Sequence, residues 1–217
     1  MSTDATELPP TSTISDALGR LNAFDAALRP RTPGKLAGPA FCIEVHPGDS
    51  ATAHLAIEHA PAGSVLVIAA GGFPDRAVWG EILTAAAQRR GVSGALVDGA
   101  IRDVDAIRAR GFPIFSTSVT PTGPHKAAGG RWGHTVACAG AVVATGDMIV
   151  TDEDGAVVIP ADRYGATLDA ARAIVQREQT LLEQIARGDS TVDLLGLSRP
   201  AQTPSRGEQH AEQGVNE

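Results

Sequence analysis

Two apolar runs constrain this chain more than any other feature. SVLVIAA at 64–70 and GALVDG at 94–99 are bounded by Pro and Gly, and the stretch between them has helical spacing closed by Gly91. Runs this short are strands rather than helices, and their lack of apolar/polar alternation marks strands buried on both faces. If the two are neighbours joined by a right-handed crossover, the loops that leave them lie at one edge of one sheet.

The rest of the chain supplies a mixed α/β order. Residues 1–12 read as a loose tail, and TISDALGRL opens a helix with Thr13 or Ser15 as N-cap candidates. AFCIEVHPG is strand-like, and ATAHLAIEHA is a helix whose apolar positions include 55, 56 and 60. AVWGEILTAAAQRRG reads as a helix beginning near Gly80 and capped by Gly91. DVDAIRARG is a short helix, FPIFSTSV a strand, and residues 120–134 a long Gly/Pro-rich loop in which GGRWG is flexible punctuation. TVACAGAVVATGDMIVTDEDGAVVIP holds three apolar runs, with ATGD and DEDG as hairpin turns. A long helix from Ala161 to Arg187 carries apolar residues at 168, 171, 174, 175, 181, 182 and 185, a stripe suited to a sheet or a partner subunit. From Ser198 onward the chain is polar and reads as disordered. The expected organisation is a flexible tail over 1–12, a single domain over 13–197 and a disordered tail over 198–217.

Composition removes several function classes. The net charge is −7 with no Lys/Arg-rich run, which argues against a nucleic-acid partner. There is no phosphate-binding Gly loop of the dinucleotide or NTP kind. Of the 18 basic residues 16 are Arg, so Lys35 and Lys126 alone are available for Schiff-base chemistry, and both lie in Gly/Pro-rich stretches. Lys126, beside His125, reads as a solvated loop residue with the alternative of meeting a distal substrate carboxylate. Cys42 and Cys138 lack C-x-x-C spacing and read as reduced, buried thiols. His46, His54, His59, His125 and His134 show no zinc-binding spacing and read as surface or packing residues. No secretory signal or membrane-length apolar run is visible, so a cytoplasmic location is expected.

The chemistry concentrates where the two strand-end loops would converge. If Gly80 is the N-cap, Glu81, Ile82 and Leu83 form a first helical turn whose backbone N–H groups lack intrahelical acceptors and favour an anion. Residues 94–103, GALVDGAIRD, deliver Arg102 and Asp103 side by side. Adjacent residues on an extended chain face opposite ways, so each is expected to meet its own partner rather than the other. Arg102 offers a two-bond fork for a carboxylate or 2-oxo acid. Asp103 offers hard oxygen to Mg²⁺ or Mn²⁺, ions that keep several waters and need few protein carboxylates.

WGEIL, GVSGALVDGAIRD, GFPIFSTSVTPTG and GDMIVTDEDGAVVIP, in this order and spacing, resemble the RraA-like family over roughly residues 13 to 187. That family includes metal-dependent 4-hydroxy-4-methyl-2-oxoglutarate / 4-carboxy-4-hydroxy-2-oxoadipate aldolases and the ribonuclease regulator RraA. Its signature is an acid, twenty residues, Arg-Asp, two residues and a further acid. Glu81 and Arg102-Asp103 match, whereas Ala106 stands at the last position and Asp105 lies one residue early.

The resemblance implies a swivelling β/β/α fold of the phosphohistidine-domain type, with a mixed sheet, hairpins and a long C-terminal helix. It implies Asp103 as the direct protein ligand of a divalent cation and Arg102 on the pyruvyl oxygen. The backbone N–H groups of Ile82 and Leu83 would hold the pyruvate carboxylate, and Glu81 a water for proton transfer. The implied activity is class II retro-aldol cleavage of a small 4-hydroxy-2-oxo acid to pyruvate, with oxaloacetate decarboxylation as a side activity. The assembly would be a homotrimer or dimer of trimers, in which Glu178 or Glu183 could reach a neighbour's site. A non-enzymatic ribonuclease regulator and a repurposed lyase or decarboxylase are the alternatives, and Ala106 bears on substrate range.

Overall fold

The computed structural model describes residues 8–127 and 129–199. The expected tail over 1–12 falls outside them up to residue 7, as does the expected C-terminal tail from residue 200. Two compact units divide the chain, 1–175 and 176–217.

In the first unit the elements are α1 (Thr11–Ala17), β1 (Arg29–Pro30), β2 (Ala37–Glu44), α2 (Ala51–Ile57), β3 (Val65–Ala69), β4 (Ala77–Trp79), α3 (Glu81–Arg90), β5 (Gly94–Ile101), α4 (Val104–Ala109) and β6 (Ile114–Val119). There follow β7 (Arg131–Trp132), β8 (Val136–Cys138), β9 (Ala141–Val143), β10 (Met148–Asp152), β11 (Gly155–Ile159) and a 3₁₀ turn at Ala161–Arg163 leading into α5 (Tyr164–Ala186). In the second unit the end of α5 precedes α6 (Thr191–Leu194), and Leu181, Leu182, Ile185, Leu194 and Leu195 line an apolar groove there.

The two apolar runs are neighbours. β3 and β5 pair in parallel, Val65 opposite Gly94 through Ala69 opposite Asp98. The mixed sheet runs β1-β6-β5-β3-β2-β10-β11, with β4 added to β5 and β7 to β2, and β8-β9 form a separate ribbon. Period-two alternation splits the side chains of the central strands between two cores. Leu66, Ile68 and Val97 join Trp79, Leu83, Ile107 and Phe112, the helical side. Val65, Val67 and Leu96 join Cys42, Val136, Cys138 and Val143, the ribbon side. A third cluster seats Leu168 and Ala171 of α5 on Val150, Val157 and Ile159, beside Ile14 of α1 and its C-cap Leu18.

Several elements differ from the sequence reading. Residues 77–79, ahead of the helix, form a strand not expected from sequence, because β5 outruns β3 and its last residues, Ala100 and Ile101, pair with Ala77 and Trp79. α1 begins at Thr11 after Pro10, since the Thr11 N–H and hydroxyl both donate to the Asp152 carboxylate, at 2.8 and 2.6 Å. α2 buries Ala53, Ala56 and Ile57 and leaves Leu55 50% exposed. The stretch 135–160 holds four strands, and ATGD is no hairpin: β9 turns back on β8 through Ala139-Gly140, while β10 leaves for β2. DEDG does connect the β10-β11 hairpin. GGRWG is built in rather than loose, with Arg131 and Trp132 paired to β2 and Trp132 stacked on His59 at 5.4 Å.

Candidate active site

The ends of β4 and β5 lie side by side, tied by the Arg102 N–H donating to the Trp79 carbonyl at 3.0 Å. β4 then turns into α3 through Gly80, its N-cap, and β5 into α4 through Asp103. Asp103 is left-handed at φ +60°, a conformation short acidic residues tolerate better than most. That turn overturns the expectation that Arg102 and Asp103 stay apart. It folds the carboxylate back beside its neighbour, so Asp103 Oδ2 lies 3.4 Å from Arg102 Nε while also accepting the Glu81 N–H at 3.1 Å.

Two glycines make this packing possible. A Cβ at Gly80 would stand 2.6 Å from Asp103 Oδ2, and one at Gly123 would stand 2.7 Å from Arg102 Nη1. Any side chain at either position displaces the pair.

Arg102 and Asp103 open into a cleft of about 190 Å³ together with Ile82 and Leu83, the second and third residues of α3. Both residues' N–H groups precede the first intrahelical bond, which Thr84 makes to Gly80 at 3.1 Å, so the positive end of the helix faces this space. The facing wall carries Ser50, His54 and Lys126. Ser50 is 1% exposed, and its hydroxyl has no hydrogen-bond partner among the described residues. Burial first, and then nearby Lys126, holds His54 below its ordinary pKa and keeps the imidazole neutral near pH 7. The Lys126 loop is latched to the α2 entry: the His125 N–H donates to Gly48, His125 accepts from Ser50, and the Ala127 N–H donates to Asp49 Oδ2.

The structure therefore brings Arg102, Asp103, Ile82 and Leu83 together. Glu81 stands beside them, outside the cleft lining, its Oε1 held by Arg110 Nη2 at 2.8 Å and Nε at 3.1 Å. Asp105 is engaged elsewhere, with Arg108 at 2.7 Å, and Ala106 is half-buried on α4. Glu178 and Glu183 are exposed on α5. Lys126 and His54, read from sequence as loop and packing residues, are cleft residues. For Ser50 and His54 a signal existed, since residues four apart at a helix start share a face. Arg110, 29 positions from Glu81, gave none.

A divalent cation fits this donor set in one way. No group of three or more His, Cys, Asp or Glu among the described residues could hold a metal. Asp103, 38% exposed at the cleft with Oδ2 anchored, would be the single carboxylate for a largely hydrated Mg²⁺ or Mn²⁺.

A family model described as RraA-like, Aldolase/RraA, matches residues 11–158. The chain belongs to the RraA-like family. A relative from Halalkalibacterium halodurans, named "Putative 4-hydroxy-4-methyl-2-oxoglutarate aldolase", is 36% identical over 164 residues, 75% of this chain and 78% of its own. A crystal structure of an uncharacterized protein from Pseudomonas syringae pv. tomato superposes with a TM-score of 0.77 at 30% identity, over 86% of this chain and 89% of that one. Streptomyces coelicolor RraAS2, described as an unusual member of the RNase ES inhibitor RraA family, gives 0.70 at 29% identity, over 81% and 93%. The mixed α/β RraA fold and long C-terminal helix expected from sequence are thus the fold observed.

Proposed function

We propose that this protein is a divalent-metal-dependent pyruvate aldolase that cleaves a 4-hydroxy-2-oxo di- or tricarboxylic acid. The convergence of the Arg102 fork, the Asp103 carboxylate and the open first turn of α3 on one cleft carries this reading. The Ile82 and Leu83 N–H groups receive the carboxylate of the pyruvyl half, where the helix dipole favours an anion. Arg102 binds the 2-oxo oxygen and stabilises the negative charge that develops there. Asp103 would hold Mg²⁺ or Mn²⁺, which when bound supplies Lewis-acid polarisation of the 2-oxo group. As C3–C4 breaks, its electron pair passes to the pyruvate enolate, and the 4-hydroxyl gives up its proton to form the carbonyl product. Glu81, through a water, relays a proton to C3. Lys126 meets the distal carboxylate, with the unpartnered Ser50 hydroxyl and neutral His54 as hydrogen-bonding groups on the same wall. Oxaloacetate decarboxylation reaches the same enolate and is the expected side activity. Assembly as a homotrimer or dimer of trimers is part of this reading, and light scattering should return three or six times the 22.3 kDa chain mass.

The test is pyruvate release from oxaloacetate and from 4-hydroxy-4-methyl-2-oxoglutarate, with Mg²⁺ and with EDTA. We expect turnover that EDTA abolishes and that Asp103→Ala lowers by about 10³-fold or more. Metal-independent turnover, or full activity in Asp103→Ala, overturns the reading. The description of the Streptomyces relative favours a second one, a ribonuclease regulator. Failure to turn over either acid, alongside tight binding to a ribonuclease, would select it.

A further inference from the structure

Glu81 is held in an asymmetric way. Both hydrogen bonds from Arg110 land on Oε1, and among the described residues no donor reaches Oε2. Arg110 is itself fixed between two helices. Its N–H donates to the Ala106 carbonyl at 3.1 Å, and its carbonyl accepts from Gln88 Nε2 of α3 at 2.8 Å. Its own helix offers no competing acid: Ala106 stands one turn back, and Asp105 is engaged by Arg108. The guanidinium is thereby committed across the gap to the first residue of α3.

That residue is tied at its other end to Asp103, whose Oδ2 accepts the Glu81 N–H. A single fixed unit thus joins Arg110, Glu81 and Asp103. We propose that Arg110 is a positioning residue for the proton-transfer step. By occupying Oε1 alone it holds the Glu81 carboxylate in one orientation and leaves Oε2 to bind a water at the edge of the cleft. Oε2 takes, through that water, the proton lost by the 4-hydroxyl as C3–C4 breaks, and returns it by the same route to C3 of the enolate. One proton leaves oxygen and one arrives at carbon, so the relay balances without a further reactant.

This inference rests on the aldolase reading, and its test separates the two. Exchange of pyruvate methyl protons in D₂O with Mg²⁺, followed by NMR, reads the proton step without C–C cleavage. Oxalate affinity with Mg²⁺ reads the carboxylate cradle. We expect Arg110→Gln to lower exchange by about tenfold or more while oxalate affinity stays within about twofold. Arg110→Lys should restore part of the exchange. Wild-type exchange left unchanged by Arg110→Gln overturns the inference alone. So does a fall in oxalate affinity as large as the fall in exchange, which would mark a merely structural ion pair. A wild-type protein that neither exchanges pyruvate protons nor releases pyruvate overturns the aldolase reading and this inference with it.

Discussion

Asp103 shapes the cleft through its backbone as much as through its carboxylate. The left-handed turn at φ +60° brings Oδ2 under the start of α3 and beside Arg102, and it is possible only because Gly80 offers no side chain. Gly80→Ala should therefore keep the fold by circular dichroism yet lower kcat/KM by about 10²-fold, because displacements near 1 Å in a reacting group cost that much. An unchanged kcat/KM would show that Asp103 tolerates displacement. The Arg-Asp pair was legible in the sequence from its place after a strand, but its geometry was not. Strand alternation applies up to Ile101 and lapses at the first residue with positive φ, and nothing local marks Asp103 as that residue. Glu81 was legible in the same partial sense: its position at the helix start was readable, whereas its engagement by Arg110 depends on how α3 and α4 pack.

At the scale of elements, the entry of α3 is the feature on which the cleft depends. Trp79, 1% exposed, stacks on Phe112 at 6.2 Å and donates its indole N–H to Thr84 Oγ1 at 2.8 Å, while the Thr84 hydroxyl donates to the Gly80 carbonyl at 3.1 Å. One buried hydroxyl thus joins the end of β4 to the first turn of α3. Thr84→Val keeps the volume but strands the indole N–H, and should cost about 1–3 kcal/mol in urea unfolding. A loss below roughly 0.5 kcal/mol would mean the indole finds another acceptor, against the usual penalty for a buried unpaired donor. The helix and its Gly80 and Gly91 boundaries were readable from capping chemistry and apolar spacing. β4 was not, since three residues carry too little periodicity to announce a strand. It exists because β5 is longer than β3 and its free edge needs a partner.

Across the molecule, the two thiols report on the core behind the sheet. Cys42 is 0% and Cys138 1% exposed. Burial pushes the Cys42 thiol up to about 11, with the Thr145 hydrogen bond opposing and Asp147 adding to the rise; burial raises Cys138 as well. A raised folded pKa means the unfolded chain releases its proton first, so this part of the stability is intact below the unfolded thiol pKa of about 8.5 and is lost as pH climbs through about 11. Stability should accordingly fall over this alkaline window, and Cys42→Ala should flatten that fall in unfolding measured against pH. An identical slope in the variant would assign the loss to other groups. The family resemblance and the parallel pairing at the centre were readable from sequence, because buried parallel strands leave unbroken apolar runs. The wall carrying Ser50, His54 and Lys126 was not, because the latch joining residues 48–50 to 125–127 spans a long sequence separation. This two-walled construction has an evolutionary consequence. One wall is made largely of main chain and of a pair wedged between glycines, where most substitutions do damage. The other is made of three side chains on a latched frame, where substitutions leave the frame standing. On the aldolase reading, a lineage would retune which acid it accepts by altering positions 50, 54 and 126, without reinventing the reaction.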